Sequence, residues 1–265
     1  MTLLEAVAIT LAGLGAGTVN AVVGSGTLIT FPVLLAFGYD PLVANMSNNL
    51  GLVPGSVSGS LGYRQELVGE SRRLLRLGVA ALLGGALGAC LLLWLPPSAF
   101  RAIVPAFVAL AIGLVAVQPW LSSWLARRRP VVTGPVAGRS EPAHPEPTSD
   151  AAFVFPALVL AGAYGGYFGA GQGILYIAIL AIALPISLQR ANALKNVLGA
   201  LVNLVAGLVF IVSGAPIDWR IVALVALGAT IGGQLGAHVG RRLSPMTLRA
   251  IIIVVGCVAF WRLIG

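Results

Sequence analysis

Residues 24–49 read GSGTLITFPVLLAFGYDPLVANMSNN, and residues 171–196 read GQGILYIAILAIALPISLQRANALKN. The second stretch repeats the first after a shift of 147 positions (171 minus 24), from a Gly-x-Gly turn to an asparagine cluster. The repeated positions are Gly24, Ser25, Gly26, Asn45, Asn48 and Asn49 in the first copy, and Gly171, Gln172, Gly173, Asn192, Lys195 and Asn196 in the second. One pair differs in charge, because the only lysine of the chain, Lys195, replaces Asn48.

The composition around these stretches is that of a membrane protein. Of 265 residues, 58% are hydrophobic and 9% are charged, whereas soluble domains carry about 25% charged residues. The apolar runs are long and unbroken, which excludes a transmembrane β-barrel. The net charge of +8 does not indicate a nucleic-acid partner, because the arginines lie between apolar runs and form no single basic face. The sequence predicts an all-α, polytopic helical membrane protein.

Ten apolar segments divide the chain into two halves. They lie at about 3–23, 25–37, 41–61, 74–95, 99–121, 152–170, 173–184, 187–212, 218–240 and 245–264. Residues 126–150 contain a triple arginine, five prolines and three acidic residues, so we expect a flexible exposed linker there. The predicted organisation is a first repeat at 1–125, a cytoplasmic linker at 126–150 and a second repeat at 151–265.

The placement of the arginines predicts the orientation. Loops three–four, five–six, seven–eight and nine–ten carry arginines, and they share one side if the segments alternate. Basic loops face the cytoplasm, so both termini are expected outside. Because each half has five segments, an odd number, the second repeat enters the membrane from the opposite face. The duplication is therefore predicted to be inverted, as in many secondary transporters.

The second and seventh segments are too short to cross a membrane alone. Each has about twelve residues, whereas a span needs about twenty, and each follows a glycine-rich break. We expect broken or re-entrant helices, which membranes tolerate only where the backbone is buried in protein or lines a wet cavity. Two such breaks at matching positions predict a binding site between them.

The eighth segment carries a polar stripe with anion-binding chemistry. Asn192, Lys195, Asn196, Gly199 and Asn203 fall within about 100° of one helix face. Asparagine amides donate hydrogen bonds without charge, and a lysine ammonium adds a compact positive charge. Helix N-termini at the glycine breaks would add further N–H donors. These residues predict a site for a small anion.

Two other interpretations remain open at this point. Asparagines and glycines in membrane helices also serve as interhelical hydrogen bonds and close-packing positions, and Lys195 lies near enough to a helix end to reach the membrane surface. The sequence contains no nucleotide-binding loop, metal-ligand cluster or nucleophile with a base. We therefore predict no enzyme activity, no metal and no cofactor.

These two motifs resemble those of the sulfite exporter TauE/SafE family of membrane permeases. The resemblance rests on Gly24-Ser25-Gly26 with Pro32, the Asn45 to Asn49 cluster, Gly171-Gln172-Gly173, and Asn192 to Asn196. It covers nearly the whole chain except the linker. It implies a multi-pass protein of the bacterial inner membrane that moves sulfite, sulfonates, or other organosulfur or carboxylate anions.

The expected function is secondary transport, most simply export, of such an anion by alternating access around a midplane site. An anion-selective channel built from the same residues is the alternative. The expected partners are the anionic substrate and the lipid bilayer, without nucleic acid. Small-residue runs such as Gly84-Gly85-Ala86 fit packing within one chain or a homodimer seam.

Overall fold

The computed structural model describes residues 1–128, 153–184, 186–239 and 245–264. Within these residues the chain is helical, with ten α-helices and a 3₁₀ turn at Arg64–Leu67 but no strand. The helices are α1 (Leu3–Val22), α2 (Thr27–Ala36), α3 (Pro41–Gly62), α4 (Ser71–Trp94), α5 (Pro97–Arg128), α6 (Val154–Tyr167), α7 (Gln172–Ala183), α8 (Leu188–Val212), α9 (Trp219–Val239) and α10 (Pro245–Ile264). The all-helical class predicted from the sequence is confirmed.

The ten helices correspond one to one with the ten apolar segments. Five described helices are long and apolar enough to cross a membrane: Leu3–Val22, Ser71–Trp94, Pro97–Trp120, Leu188–Val212 and Trp219–His238. The helices α2 and α7 are short, with 10 and 12 residues, as expected for the two segments that follow the glycine breaks. Helix α5 continues to Arg128, three residues into the linker predicted at 126–150. The rest of that linker, from residue 129, lies outside the described residues, as do Arg241 and Arg242.

Local sequence signals explain where several helices begin. Thr2 and Glu5 form a reciprocal capping box at the start of α1, which satisfies two backbone N–H groups there. Asp40 caps α3 through the N–H groups of Leu42 and Val43, directly before Pro41. Proline suits this first helical position because it has no N–H to leave unpaired.

The first helix of the first half, α1, packs against the fourth helix of the second half, α9. A Cβ placed on Gly228 of α9 would lie 2.1 Å from the Thr10 carbonyl oxygen of α1, and one on Gly236 would lie 2.6 Å from that of Thr18. Residue numbers increase together along both helices, so α1 and α9 run parallel. Such close backbone approach requires glycine at the contact.

The equivalent pair, α4 of the first half and α6 of the second half, packs in the same way. A Cβ on Gly84 would lie 2.3 Å from the Val159 carbonyl oxygen, and one on Gly88 would lie 2.0 Å from that of Ala163. The helices α4 and α6 therefore also run parallel to each other. The helix α6 repeats α1, and α9 repeats α4. In each half, therefore, the first helix packs against the fourth helix of the other half.

The two central helices, α3 and α8, are repeat partners and cross in opposite directions. Leu50 of α3 contacts Gly207 of α8, whereas Gly59 lies within 4.0 Å of the Asn196 amide nitrogen, measured from a Cβ placed on the glycine. Residue numbers therefore rise along one helix as they fall along the other. Equivalent helices that run antiparallel give the arrangement that an inverted duplication predicts.

Candidate functional site

The two glycine breaks meet inside the molecule. The Gly173 N–H donates a hydrogen bond to the Gly24 carbonyl oxygen, with 3.0 Å between nitrogen and oxygen. A Cβ on Gly24 would lie 2.6 Å from the Gly173 Cα, and a Cβ on Gly173 would lie 2.5 Å from the Gly24 Cα. Gly24 also has a φ of +88°, a conformation that side chains disfavour. Both breaks therefore need glycine, and the Gly173 N–H is used within the protein.

The C-terminal end of α1 lies beside this junction with unpaired carbonyl groups. The last four carbonyls of a helix have no partner within it. At this end the N–H groups of Val23 and Gly24 both donate to Val19. Among the described residues, no backbone N–H donates a hydrogen bond to the carbonyl oxygens of Asn20 and Ala21.

The polar stripe of α8 supplies the missing donors. Lys195 Nζ donates to the Asn20 oxygen at 2.7 Å and to the Ala21 oxygen at 3.4 Å. The side-chain amides of Asn192 and Asn196 donate to the same Ala21 oxygen at 3.0 Å and 3.3 Å. Three of the predicted site residues therefore converge on one end of α1.

Lys195 is buried at this point and does not extend to the membrane surface. Only 2% of the residue is exposed, which removes the surface-reaching interpretation left open by the sequence. No carboxylate pairs with it among the described residues. Its ammonium instead lies at a helix C-terminus, where the helix dipole favours a positive charge.

The first half repeats this cap without the charge. The Asn45 amide donates to the carbonyl oxygen of Tyr167, the last residue of α6, at 2.9 Å. Asn45 and Asn192 are repeat partners, and each therefore caps the first helix of the other half. Asn48, the partner of Lys195, turns away to α2: it accepts from Thr30 Oγ1 and donates to Thr27 Oγ1.

A small enclosed cavity lies beside Lys195. Its walls are Asn20, Gly24, Thr27, Leu52, Gly169, Gln172, Gly173, Lys195, Asn196, Gly199 and Asn203. The cavity volume is about 20 Å³, which holds about one water molecule. A sulfite-sized anion therefore needs the surrounding helices to move apart before it can enter.

The cavity walls contain some of the predicted site residues and not others. Gly24, Gln172, Gly173, Lys195 and Asn196 line it. Seven predicted residues are not among its walls: Ser25, Gly26, Asn45, Asn48, Asn49, Gly171 and Asn192. The asparagines of α3 instead bind α2 and the end of α6, so the structure does not gather both asparagine clusters around one cavity.

Several wall residues were missed from the sequence. Asn20 and Thr27 line the cavity, but their repeat partners are Tyr167 and Ile174, so a search for matching polar positions passes over them. The available signal for Asn20 was its position as an amide residue four places before Gly24, in the mainly apolar C-terminal half of α1. Its amide donates to Ser56 Oγ at 3.1 Å.

Polar groups without partners point to an incompletely satisfied interior. The side-chain nitrogen of Gln172, on the cavity wall, makes no hydrogen bond among the described residues, nor do Ser25 Oγ and Asn49 Oδ1. Buried polar atoms without a partner are costly and require an explanation. Gln172 lines the same cavity as Lys195, and its side-chain amide group lies against Gly165 of α6.

A second charged cluster joins the two halves at the start of α8. Glu70, only 2% exposed, pairs with Arg73 of its own half. Its other oxygen lies 3.5 Å from Arg190 Nε in the second half. Arginine guanidinium groups suit such partly buried ion pairs, so this cluster ties the loop before α4 to α8.

A larger groove elsewhere lacks the chemistry for an anion. It has a volume of about 630 Å³ and lies between α4 and α8, lined by Cys90, Leu93, Trp94, Val205, Leu208, Val209, Val212 and Ser213. None of these side chains carries a charge. The small cavity at Lys195 is the better candidate, because it combines a cation with amide donors.

Comparisons with known proteins agree on the kind of molecule. The family described as Sulfite exporter TauE/SafE matches residues 9–263. A "Probable membrane transporter protein" of Haemophilus influenzae is 26% identical over 243 residues, covering 91% of this chain and 88% of that protein. YfcA of Escherichia coli K12, also a probable membrane transporter protein, is 25% identical over 255 residues, covering 94% and 86%. ORF9 of Sinorhizobium sp, with the same description, is 26% identical over 251 residues, covering 94% and 88%.

Proposed function

Because the chain belongs to the sulfite exporter TauE/SafE family of membrane transporters, we propose that it is a secondary transporter of small anions. The substrates are sulfite, sulfonates, or related organosulfur and carboxylate anions. The anion binds beside Lys195, with the amides of Asn192, Asn196 and Gln172 as further donors. The observation that carries this proposal is the buried ammonium of Lys195 on the wall of a polar cavity.

A merely structural lysine is a poor explanation of this site. A charge in a membrane helix costs up to about 2.5–3.5 kcal/mol on insertion scales, the value at the helix centre. The equivalent end of α6 is capped by the neutral amide of Asn45. A cap therefore needs no ammonium, and the extra charge is explained by an anionic ligand that it attracts.

The inverted packing supports an alternating-access mechanism. The cavity lies where the glycine breaks of both halves touch, so rocking of one half against the other would open it first to one side and then to the other. Its small volume fits a closed conformation between those two openings.

The proposal also includes the orientation of the protein in the membrane and the direction of anion transport. The arginine-rich loops face the cytoplasm of a bacterial cell, which puts both termini in the periplasm and the protein in the inner membrane. An inside-negative potential then favours anion efflux by about 2.3 kcal/mol per charge per 100 mV. Export needs no coupled ion under these conditions.

A thermal-shift screen of the purified protein tests this proposal. The panel contains sulfite, methanesulfonate, sulfoacetate and acetate, each as the same cation salt, with chloride as the ionic-strength control. We expect at least one oxyanion to raise the melting temperature, because a ligand that binds only the folded state stabilises it. No shift with any of them would contradict the proposal, and single-channel conductance in planar bilayers would favour the channel alternative.

A further inference from the structure

One carbonyl oxygen in the site receives more donors than a helix cap requires. The Ala21 oxygen lies within 3.0–3.4 Å of three nitrogens, one each from Asn192, Lys195 and Asn196. A backbone carbonyl has two lone pairs, and only the Asn192 nitrogen lies within the usual range of about 2.7–3.2 Å. The Asn196 and Lys195 nitrogens, at 3.3 Å and 3.4 Å, are therefore only weakly bonded to the Ala21 oxygen, and the shorter bond of Lys195 goes to Asn20. Three N–H donors around one oxygen, one of them charged, is instead the arrangement that suits an oxyanion.

The end of α6 provides an internal control for this observation. There the Tyr167 oxygen receives one side-chain donor, from Asn45. Tyr167 is the repeat partner of Asn20, whose oxygen likewise receives one side-chain donor, from Lys195 at 2.7 Å. The nitrogens of Asn192, Lys195 and Asn196 around the next oxygen, that of Ala21, come in addition to this shared cap. Helix capping therefore does not explain them.

We propose that Asn192, Lys195 and Asn196 form the subsite for one oxygen of the transported anion, and that the Ala21 carbonyl fills this subsite in the empty protein. This inference rests on the proposed function. The substrate oxygen displaces the carbonyl, and the end of α1 is released from α8. The backbone of α1 thus acts as a built-in competitor of the substrate.

This exchange links binding to movement between the halves. The released segment leads directly into Gly24, whose carbonyl accepts the hydrogen bond from Gly173 of the other half. Loss of the contact between Ala21 and α8 frees the first break to move relative to the second. The chemistry also restricts the ligand to one that offers a charged oxygen, which excludes neutral analogues such as dimethyl sulfone.

Hydrogen exchange of the full-length protein in nanodiscs tests the displacement. Peptides covering residues 19–27 are compared with and without saturating sulfite, with peptides covering 166–174 as the matched segment of the other half. We expect sulfite to raise the exchange rate of residues 19–27 several-fold while the control segment changes less. Dimethyl sulfone should have no effect.

A pair of variants gives an independent readout. Gly199 lies one turn after Lys195 on the cavity wall, and a Cβ there meets no heavy atom within 4 Å. Gly199→Asp places a carboxylate beside the ammonium, and Gly199→Asn is the neutral control. We expect fast exchange at residues 19–27 in Gly199→Asp without sulfite, and slow exchange in Gly199→Asn.

The outcomes separate this inference from the proposed function. If sulfite raises the melting temperature but the exchange at residues 19–27 stays the same or falls, the displacement is wrong and anion binding stands. Equal exchange in the two Gly199 variants would also overturn the displacement. If no anion of the panel raises the melting temperature, the proposed function itself fails.

Discussion

The ends of α1 and α6 occupy equivalent places in the two halves, yet they are capped differently. The α6 end takes one neutral amide, from Asn45, whereas the α1 end takes two amides and the ammonium of Lys195. The neutral end shows what folding requires of this position. The difference between the two ends therefore isolates the part of the site that needs another explanation, and the proposed anionic ligand is that explanation.

The cavity beside the cap is asymmetric in the same sense. Gly199 of α8 and its repeat partner Leu52 of α3 both line the cavity. The leucine fills space on its side, while the glycine leaves room next to Lys195. The positive charge of Lys195 and the open space at Gly199 therefore both belong to the second half, although the two halves share the same helices.

The largest expected effect comes from alanine at the two breaks. Gly24→Ala combines a left-handed φ, worth about 1–2 kcal/mol, with a clash against the Gly173 backbone, worth about 1–3 kcal/mol. Its repeat partner Gly171 has a φ of +77°, but a Cβ there would lie at an ordinary 3.5 Å from Ala111. We expect Gly24→Ala to lower the free energy of unfolding about twice as much as Gly171→Ala.

Thermal unfolding in detergent, followed by circular dichroism, compares these two alanine variants. Equal losses of stability in the two variants would contradict the close backbone contact between Gly24 and Gly173.

A smaller effect is expected when either asparagine cap is removed. Interhelical hydrogen bonds in membranes average about 0.6 kcal/mol, so Asn45→Ala and Asn192→Ala should lose similar amounts of stability. Only Asn192→Ala should also weaken sulfite binding, because only this residue lies in the proposed oxygen subsite. Titration calorimetry with sulfite measures the affinities, and an equal loss of affinity in both variants would remove the distinction between the two ends.

The smallest effect on stability is expected for Gly199→Ala. Alanine is favoured over glycine inside a helix by up to about 1 kcal/mol, and its methyl group meets open space. The protein should therefore fold as well as the wild type or slightly better. The narrower cavity should slow uptake of sulfoacetate into proteoliposomes more than uptake of sulfite, and equal slowing of both would argue against this cavity as the passage.

The helices were predictable because their signals are local. Long apolar runs, short runs after glycine breaks and caps such as Asp40-Pro41 each depend on neighbouring residues in the chain. The inversion followed from the odd number of segments per half. The burial of Lys195 was foreseen from its apolar surroundings, although surface-reaching remained open.

The partners of the polar residues were not predictable in the same way. The ammonium and two amides bind backbone carbonyls of α1, and a carbonyl leaves no mark in a sequence because every residue has one. Asn48 was grouped with Lys195 by the repeat, but it binds Thr27 and Thr30. Symmetry of sequence therefore located the helices correctly, while the two asparagine clusters acquired different contacts in three dimensions.

The most direct test of the charge at Lys195 is the sulfite-induced thermal shift of Lys195→Gln beside the wild type. Glutamine keeps a donor for the α1 end and removes the charge, so the melting temperature without sulfite should stay near that of the wild type. The shift with sulfite should disappear, because loss of a charged hydrogen bond of about 1.5–3 kcal/mol lowers affinity about 10- to 150-fold. A variant that melts far below the wild type yet keeps its full sulfite shift would contradict the account and leave Lys195 as a structural cap.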